Sequence, residues 1–307
     1  MIESINQQWK KLKLFDKAVI AFFLILNILI SIFYFNVDIW YIRFVSHFLV
    51  ILAVLYLIPL LDLKNNRLLH FLRHWYLVFT LILIYWNVGN FIHLIFPSHF
   101  DYLIISFEES MFGIPPNIWI QRYVNPFLTE VMQLSYAVYW FVIPVGAGIF
   151  YFNRRYRECE YLLFFTFGTF FLSYLFFIFV PVAGPRFMMI DQIYVEYKGL
   201  FLTGLFRSLV EGSGLKGGAF PSSHVAVAVV ILIFVWKYYP NIGKWGFLPA
   251  VVALSLSTVY GQYHYITDMI AGLIMGIIIG FVGITCASKA LSRQQEMQKI
   301  PQNKIPA

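Results

Sequence analysis

The sequence predicts an all-α fold, a polytopic membrane helix bundle of about eight spans. Three observations carry that prediction. The 307 residues are 60% hydrophobic and only 12% charged, where a soluble domain carries about 25% charged residues. Apolar runs close to the twenty or so residues that cross a bilayer recur along the chain. Lys and Arg collect in alternate loops between those runs, as membrane orientation demands. The net charge of +7 therefore reads as topology and gives no argument for nucleic acid as a partner.

The first span is expected at 17–37. It is too long for a signal-peptide core and no small-residue cleavage site follows, so it is read as retained. Spans at 40–61 and 75–96 complete an N-terminal part, 1–96. The stretch 101–125 breaks the pattern. Asp101, Glu108, Glu109, Pro115, Pro116 and Arg122 punctuate its apolar residues, which fits a re-entrant or interfacial segment better than a span. Further spans are expected at 128–152, 161–181, 222–239, 246–261 and 267–287, the seventh being the shortest. These fall in a second part, 97–290. A polar tail, 291–307, is expected to be disordered from about Gln294.

Eight spans put both termini in the cytoplasm together with four basic groups in and next to the loops. They are Lys10, Lys11, Lys13 and Lys17; Lys64, Arg67 and Arg73; Arg154, Arg155 and Arg157; Lys237 and Lys244. The tail adds Lys289, Arg293, Lys299 and Lys304. Shifting the count by one span would split this set. Cys159 and Cys286 then lie on or near the reducing side as free thiols, and two cysteines build neither a disulfide framework nor a metal cluster.

The opposite, extracytoplasmic side receives the 97–127 segment, the long 182–221 loop and the turn 260–268. Arg186 ends span five, His224 starts span six, and His264 and Asp268 enter span eight. Gly217-Gly218-Ala219-Phe220-Pro221-Ser222-Ser223-His224 reads as a turn with a helix start, capped by Ser222 or Ser223. A helix start offers unpaired N–H groups and a positive dipole end to an anion such as phosphate. His264 and Asp268, four apart, share one helix face. The carboxylate can fix one imidazole nitrogen and leave the other free to attack. His224 can act as general acid, and Arg186 can hold phosphate oxygens. Together these residues would form a metal-free phosphoryl-transfer site that passes through a phosphohistidine, with no cofactor.

Each residue alone has a plainer explanation. A His or Asp at a membrane edge is usually solvated, and Arg186 could snorkel to lipid phosphates. Tyr260, Tyr263 and Tyr265 suit an interfacial belt, and Glu108 and Glu109 suit an orienting role. Two His and one Asp lack zinc-motif spacing. Four groups at one depth on one side favour the catalytic reading.

At these residues the chain resembles the type 2 phosphatidic acid phosphatase superfamily. Arg186, Phe220-Pro221-Ser222-Ser223-His224 and His264-x-x-x-Asp268 are similar to its three motifs, over roughly 160–285. The resemblance implies His264 as nucleophile, Asp268 as its orienting partner and His224 as general acid. It implies Arg186, Ser222 and Ser223 as phosphate ligands, in a six-helix catalytic bundle with extra N-terminal spans. The superfamily's usual motif lysine position is Phe179 here, a usual arginine position is Thr258, and Pro185 precedes Arg186 rather than following it. These departures, with the weaker match of Met111-Phe112-Gly113-Ile114-Pro115 and Trp119, resemble the inositol phosphorylceramide synthase-like branch. Lys216 and Arg207 are candidates to replace the missing charge.

The expected protein is thus a multi-pass membrane enzyme acting on a phospholipid, sphingolipid or prenyl phosphate. It would hydrolyse its substrate or transfer a headgroup to an alcohol. A non-catalytic lipid-binding protein on the same fold is the main rival. A transporter would need polar span centres, which this chain lacks. Oligomeric state has no sequence signal.

Overall fold

The computed structural model describes residues 2–62, 66–206, 208 and 214–299. The described chain is all-helical, and its one β-type contact is an isolated parallel bridge between Val182 and Gly218. The helices are α1 (Ile2–Lys11), α2 (Leu14–Ile32), α3 (Trp40–Leu52), α4 (Arg67–Gly89), α5 (Asp101–Phe112), α6 (Pro116–Trp119) and α7 (Pro126–Ala137). They continue with α8 (Tyr139–Phe152), α9 (Tyr156–Phe179), α10 (Pro185–Met188), α11 (Ser223–Tyr238), α12 (Leu248–Tyr260) and α13 (Ile266–Lys299).

Six helical stretches are long and apolar enough to cross a membrane: Leu14–Ile32, Trp40–Leu61, Arg67–Gly89, Tyr156–Phe179, Pro240–Tyr260 and Ile266–Gln294. The expected span at 128–152 is instead two helices, α7 and α8, bent by 42°; counted as one crossing they make a seventh. The expected span at 222–239 is α11, whose 16 residues reach only about 24 Å against a hydrocarbon core of about 30 Å. It is buried on nearly every side from Ser223 to Val235. It forms the central strut of the bundle, and α9, α12 and α13 pack round it.

The third span starts earlier than its hydropathy suggests. Asn66 caps α4 by accepting from the amides of Leu68 and Leu69, so Arg73 lies inside the helix. Its charge is tolerated there because Arg73 pairs with Asp16 of α2, both fully buried. The tail differs too: α13 runs through 291–299, over a Leu-Ser-Arg-Gln-Gln-Glu-Met stretch of mostly good helix formers. Residues 300–307, with Lys64 and Arg207, lie outside the described residues.

Two features of the packing position the site. A Cβ on Gly272 would sit 2.4 Å from the Ser222 carbonyl, and one on Gly276 would sit 2.6 Å from that of Ala226. Only glycine lets α13 approach the start of α11 so closely. On the other flank, Glu130 of α7 accepts from the amides of Leu200 and Leu202 and from the Thr203 hydroxyl, which ties down the long loop.

Candidate active site

Two loop segments and the first turn of α13 meet at one end of α9 and α11, each held by a polar side chain from the 101–121 region. Asp101, fully buried, accepts from the amides of Ala183 and Gly184 at 2.8 Å each and from the Tyr265 hydroxyl at 3.0 Å. One carboxylate thereby joins the Arg186 loop to the turn that carries His264. Asn117 donates to the carbonyls of Val259 and His264, and accepts at its own carbonyl from Gln262. Glu108 accepts from the amide and hydroxyl of Thr267 at 2.9 Å each and so holds the first turn of α13. Burial pushes the Glu108 carboxyl up, against the pull of those Thr267 bonds.

The Arg186 loop lies directly on the α11 entry loop. The Val182 amide donates to Gly217, and the Ala219 amide donates to Val182. Gly184 has φ 95°, and a Cβ there would come 2.9 Å from the Tyr263 carbonyl, so close approach and backbone sign both require glycine. The Arg186 amide donates to the Gln262 carbonyl at 3.1 Å. Ser222 is the N-cap of α11, its hydroxyl accepting from the Val225 amide, and its own amide donates to the Asp268 carbonyl. His224 therefore sits in the first turn of α11, against the first turn of α13.

The side chains converge in a definite order. Asp268 Oδ2 lies 3.6 Å from His264 Nδ1. His264 Nε2 lies 3.4 Å from His224 Nδ1. His224 Nε2 lies 3.0 Å from the Tyr136 hydroxyl. Arg186, Ser223, His224 and His264 line one cavity of about 290 Å³, whose far walls are Val78, Leu81 and Ile143 and the rings of Tyr139 and Phe170. Burial, reinforced by His224 and Arg186, holds the His264 imidazole well below the usual histidine range, which keeps it neutral with a lone pair available. Among the described residues Arg186 has no carboxylate partner. Its guanidinium rests near the rings of Phe187 and Tyr263 and against the backbone of Gly214.

Two expected phosphate ligands stand elsewhere. Ser222 is fully buried in its capping role, outside the cavity lining. Lys216 is exposed, with Nζ 5.1 Å from the Phe187 ring, and does not line the cavity. Nor is charge restored at the two departures from the motifs. Phe179 is on the outside of α9 at 46% exposure, and buried Thr258 donates to the Ser255 carbonyl. Instead, Tyr85, Tyr136, Tyr139, Tyr174 and Tyr263 line the cavity. Tyr136 carried a sequence signal that hydropathy hides. Glu130, Gln133 and Tyr136 recur at helical spacing in an otherwise apolar stretch.

Comparison with known proteins accords with this geometry. The family model described as the PAP2 superfamily matches residues 103–282, which takes in every loop named above. A PA-phosphatase related-family protein of Dictyostelium discoideum is 29% identical over 114 residues, 34% of this chain and 20% of the relative. The match thus spans only a fifth of that relative's length. No solved structure matches. With the family model covering more than half of its length, the chain belongs to the PAP2 superfamily.

Proposed function

We propose that the protein transfers the phosphoryl group of a membrane lipid through a phosphohistidine. The convergence of Arg186, His224 and His264 on one cavity, with Asp268 behind His264, carries this reading. His264 Nε2 attacks phosphorus, and the bond from phosphorus to the leaving oxygen breaks. Asp268 steadies the positive charge that develops on His264. Arg186 and the helix-start amides next to Ser222 and Ser223 neutralise the phosphoryl oxygens. His224 gives the leaving oxygen its proton. In the second half His224 takes a proton from the acceptor, water or an alcohol, as that oxygen attacks the phosphohistidine. The apolar wall of the cavity suits an acyl, sphingoid or prenyl chain.

The class of donor follows from charge. One guanidinium among the described lining residues, with tyrosines around it, suits a phosphate bearing a single negative charge, a diester, better than the dianion of a monoester. That favours headgroup transfer of the inositol phosphorylceramide synthase type. Hydrolysis of a lipid phosphate is the second reading, favoured by membership of the superfamily. Eight crossings, cytoplasmic termini and a site on the extracytoplasmic face belong to the same proposal, supported by the distribution of Lys and Arg. Lys216 keeps a lesser role at the cavity mouth, drawing anionic lipid inward.

The test uses purified protein in mixed micelles, without added metal. It is offered phosphatidic acid, a prenyl phosphate and phosphodiester lipids, each with and without a long-chain alcohol. Phosphate release or headgroup exchange is expected in wild type and absent in His264→Ala and His224→Ala. Equal turnover by wild type and His264→Ala would overturn the mechanism.

A further inference from the structure

A phosphohistidine mechanism needs only one nitrogen of His224, yet both are engaged. Nδ1 faces His264 and Nε2 faces the Tyr136 hydroxyl. We propose that Tyr136 is a positioning residue that keeps a proton on His224 Nε2, so that Nδ1 alone exchanges protons with substrate and acceptor. The inference rests on the phosphohistidine reading and adds α7 to the machinery that serves it.

The placement is built in. Tyr136 is 7% exposed and lies between two rings, with centroids 4.3 Å from Tyr263 and 5.2 Å from His224. One turn earlier on α7, Gln133 accepts from the Tyr263 hydroxyl at 3.1 Å. Immediately after Tyr136 the span bends by 42°, and Tyr139 at the start of α8 packs its ring 4.2 Å from that of His224. His224 is thus enclosed by the two sides of the bend, with one hydroxyl aimed at one nitrogen.

The proton count decides which nitrogen works. His264 must present a lone pair at Nε2, so across the 3.4 Å contact the proton belongs to His224 Nδ1. With the phosphate anion bound beside it and His224 held as an imidazolium, the ring also donates from Nε2 to the Tyr136 oxygen. When Nδ1–H passes its proton to the leaving oxygen, that second proton stays on Nε2. The product is a neutral imidazole with its lone pair on Nδ1, and neither imidazolate nor tyrosinate forms. The same lone pair then accepts the proton of the incoming water or alcohol, which restores the imidazolium. Without an acceptor at Nε2 the neutral ring can shift its proton to Nδ1 and lose the base.

The experiment compares two donors in one preparation, so the ratio does not depend on the folded fraction. One is the best lipid donor from the panel above. The other carries 4-nitrophenol in place of the natural leaving alcohol, and nitrophenolate departs without a proton. Tyr136→Phe should lower kcat about 10- to 100-fold on the lipid donor, with KM within about threefold, because it weakens general acid catalysis. On the nitrophenyl donor the first half-reaction, read from the nitrophenolate burst, should stay within about threefold of wild type. Tyr161→Phe, on α9 outside the cavity lining, should match wild type on both. Should Y136F not accumulate, 3,5-difluorotyrosine at position 136, a weaker acceptor of the same shape, should shift the same ratio in the same direction. An equal loss on both donors, or no loss on either, overturns the proposal while leaving His264 in place. Turnover by His264→Ala would instead bring down the underlying mechanism.

Discussion

Arg73 and Arg186 both lie against the interior of this bundle, at opposite ends of α4 and α9, and they are held in opposite ways. Arg73 grips both oxygens of Asp16. Asp16 accepts in addition from the Tyr76 hydroxyl at 2.7 Å and the Lys13 amide at 2.7 Å, and Glu160 accepts from the Leu14 amide at 3.0 Å. These contacts tie α2, α4 and α9 together at the N-terminal end. About 36 Å away, the length of the 24-residue α9, Arg186 has aromatic faces and a cavity but, among the described residues, no carboxylate. Next to it His264 Nδ1 and Asp268 Oδ1 are buried without hydrogen-bond partners among the described residues. Polar groups inside a protein normally find partners. In the first cluster only Arg73 Nε of the Arg73–Asp16 pair lacks a partner among the described residues, and the cluster binds helices together. The second departs from it at the cavity, where a ligand would supply the missing contacts at the expense of stability.

The comparison predicts that the two ends fail differently. At the incomplete end, His264→Ala removes the proposed nucleophile, and activity should fall by about 10⁴-fold or more. Stability should hardly change, with a melting temperature in detergent within about 3 °C of wild type. A collapse of stability without a matching loss of turnover per folded molecule would erase the distinction. At the complete end, Arg73→Met strands Asp16 in the bundle and should cost about 3–5 kcal/mol, while the remaining folded protein turns over normally. Adding Asp16→Asn to Arg73→Met should recover part of the loss, since the uncompensated charge is gone. Thermal or denaturant unfolding of the two variants measures both effects, and an unchanged melting point in R73M would sink the staple.

Asp101 tests the ground between. It belongs to the site's end of the molecule but is bonded like Asp16. In Asp101→Asn the carboxamide must turn its NH₂ towards either the Ala183 or the Gly184 amide, because the two donate to different oxygens. A donor facing a donor should cost about 2 kcal/mol and displace Arg186, lowering activity about 10- to 100-fold. Wild-type activity in D101N would show that the loop holds its shape without this carboxylate.

These residues also show what can be read from a chain. His264 and Asp268 are four apart on one helix, and His224 follows a capped turn, so their relations fall within short windows of sequence. Asp101 acts on amides 82 residues away and Asn117 on a carbonyl 147 residues away, and no local pattern encodes such partners. The third span was placed late for the same reason. Arg73 looks like a loop charge until its partner, 57 residues distant, is known. Lys216 shows the converse, a cation on the expected loop whose side chain turns outward once the chain is folded. The break between α7 and α8 also escaped hydropathy, because both halves are apolar. Its marker was polar, the row of Glu130, Gln133 and Tyr136.

Lys13 offers the smallest and most specific test of the N-terminal cluster. Its ammonium lies 2.6 Å from His74 Nε2, beside Arg73 and half-buried. Burial, with Arg73 adding repulsion, lowers the Lys13 pKa from 10.5 to about 8, while Glu160, Asp62 and Asp16 pull it back up. The folded protein therefore sheds this proton at about pH 8, whereas the unfolded chain holds it to about pH 10.5. Between those limits the unfolded state binds more protons, so this group's contribution to stability rises with pH. Below pH 8 the folded state carries the cost of the confined charge. Lys13→Met has no such proton. Melting curves of the two proteins in the same detergent, from pH 7 to pH 10, should converge or cross in wild type's favour as pH rises. Every other titrating group is common to both, so parallel curves would mean that the Lys13 ammonium is as well solvated in the bundle as in the unfolded chain. The N-terminal end would then resemble the cavity end more than its packing suggests.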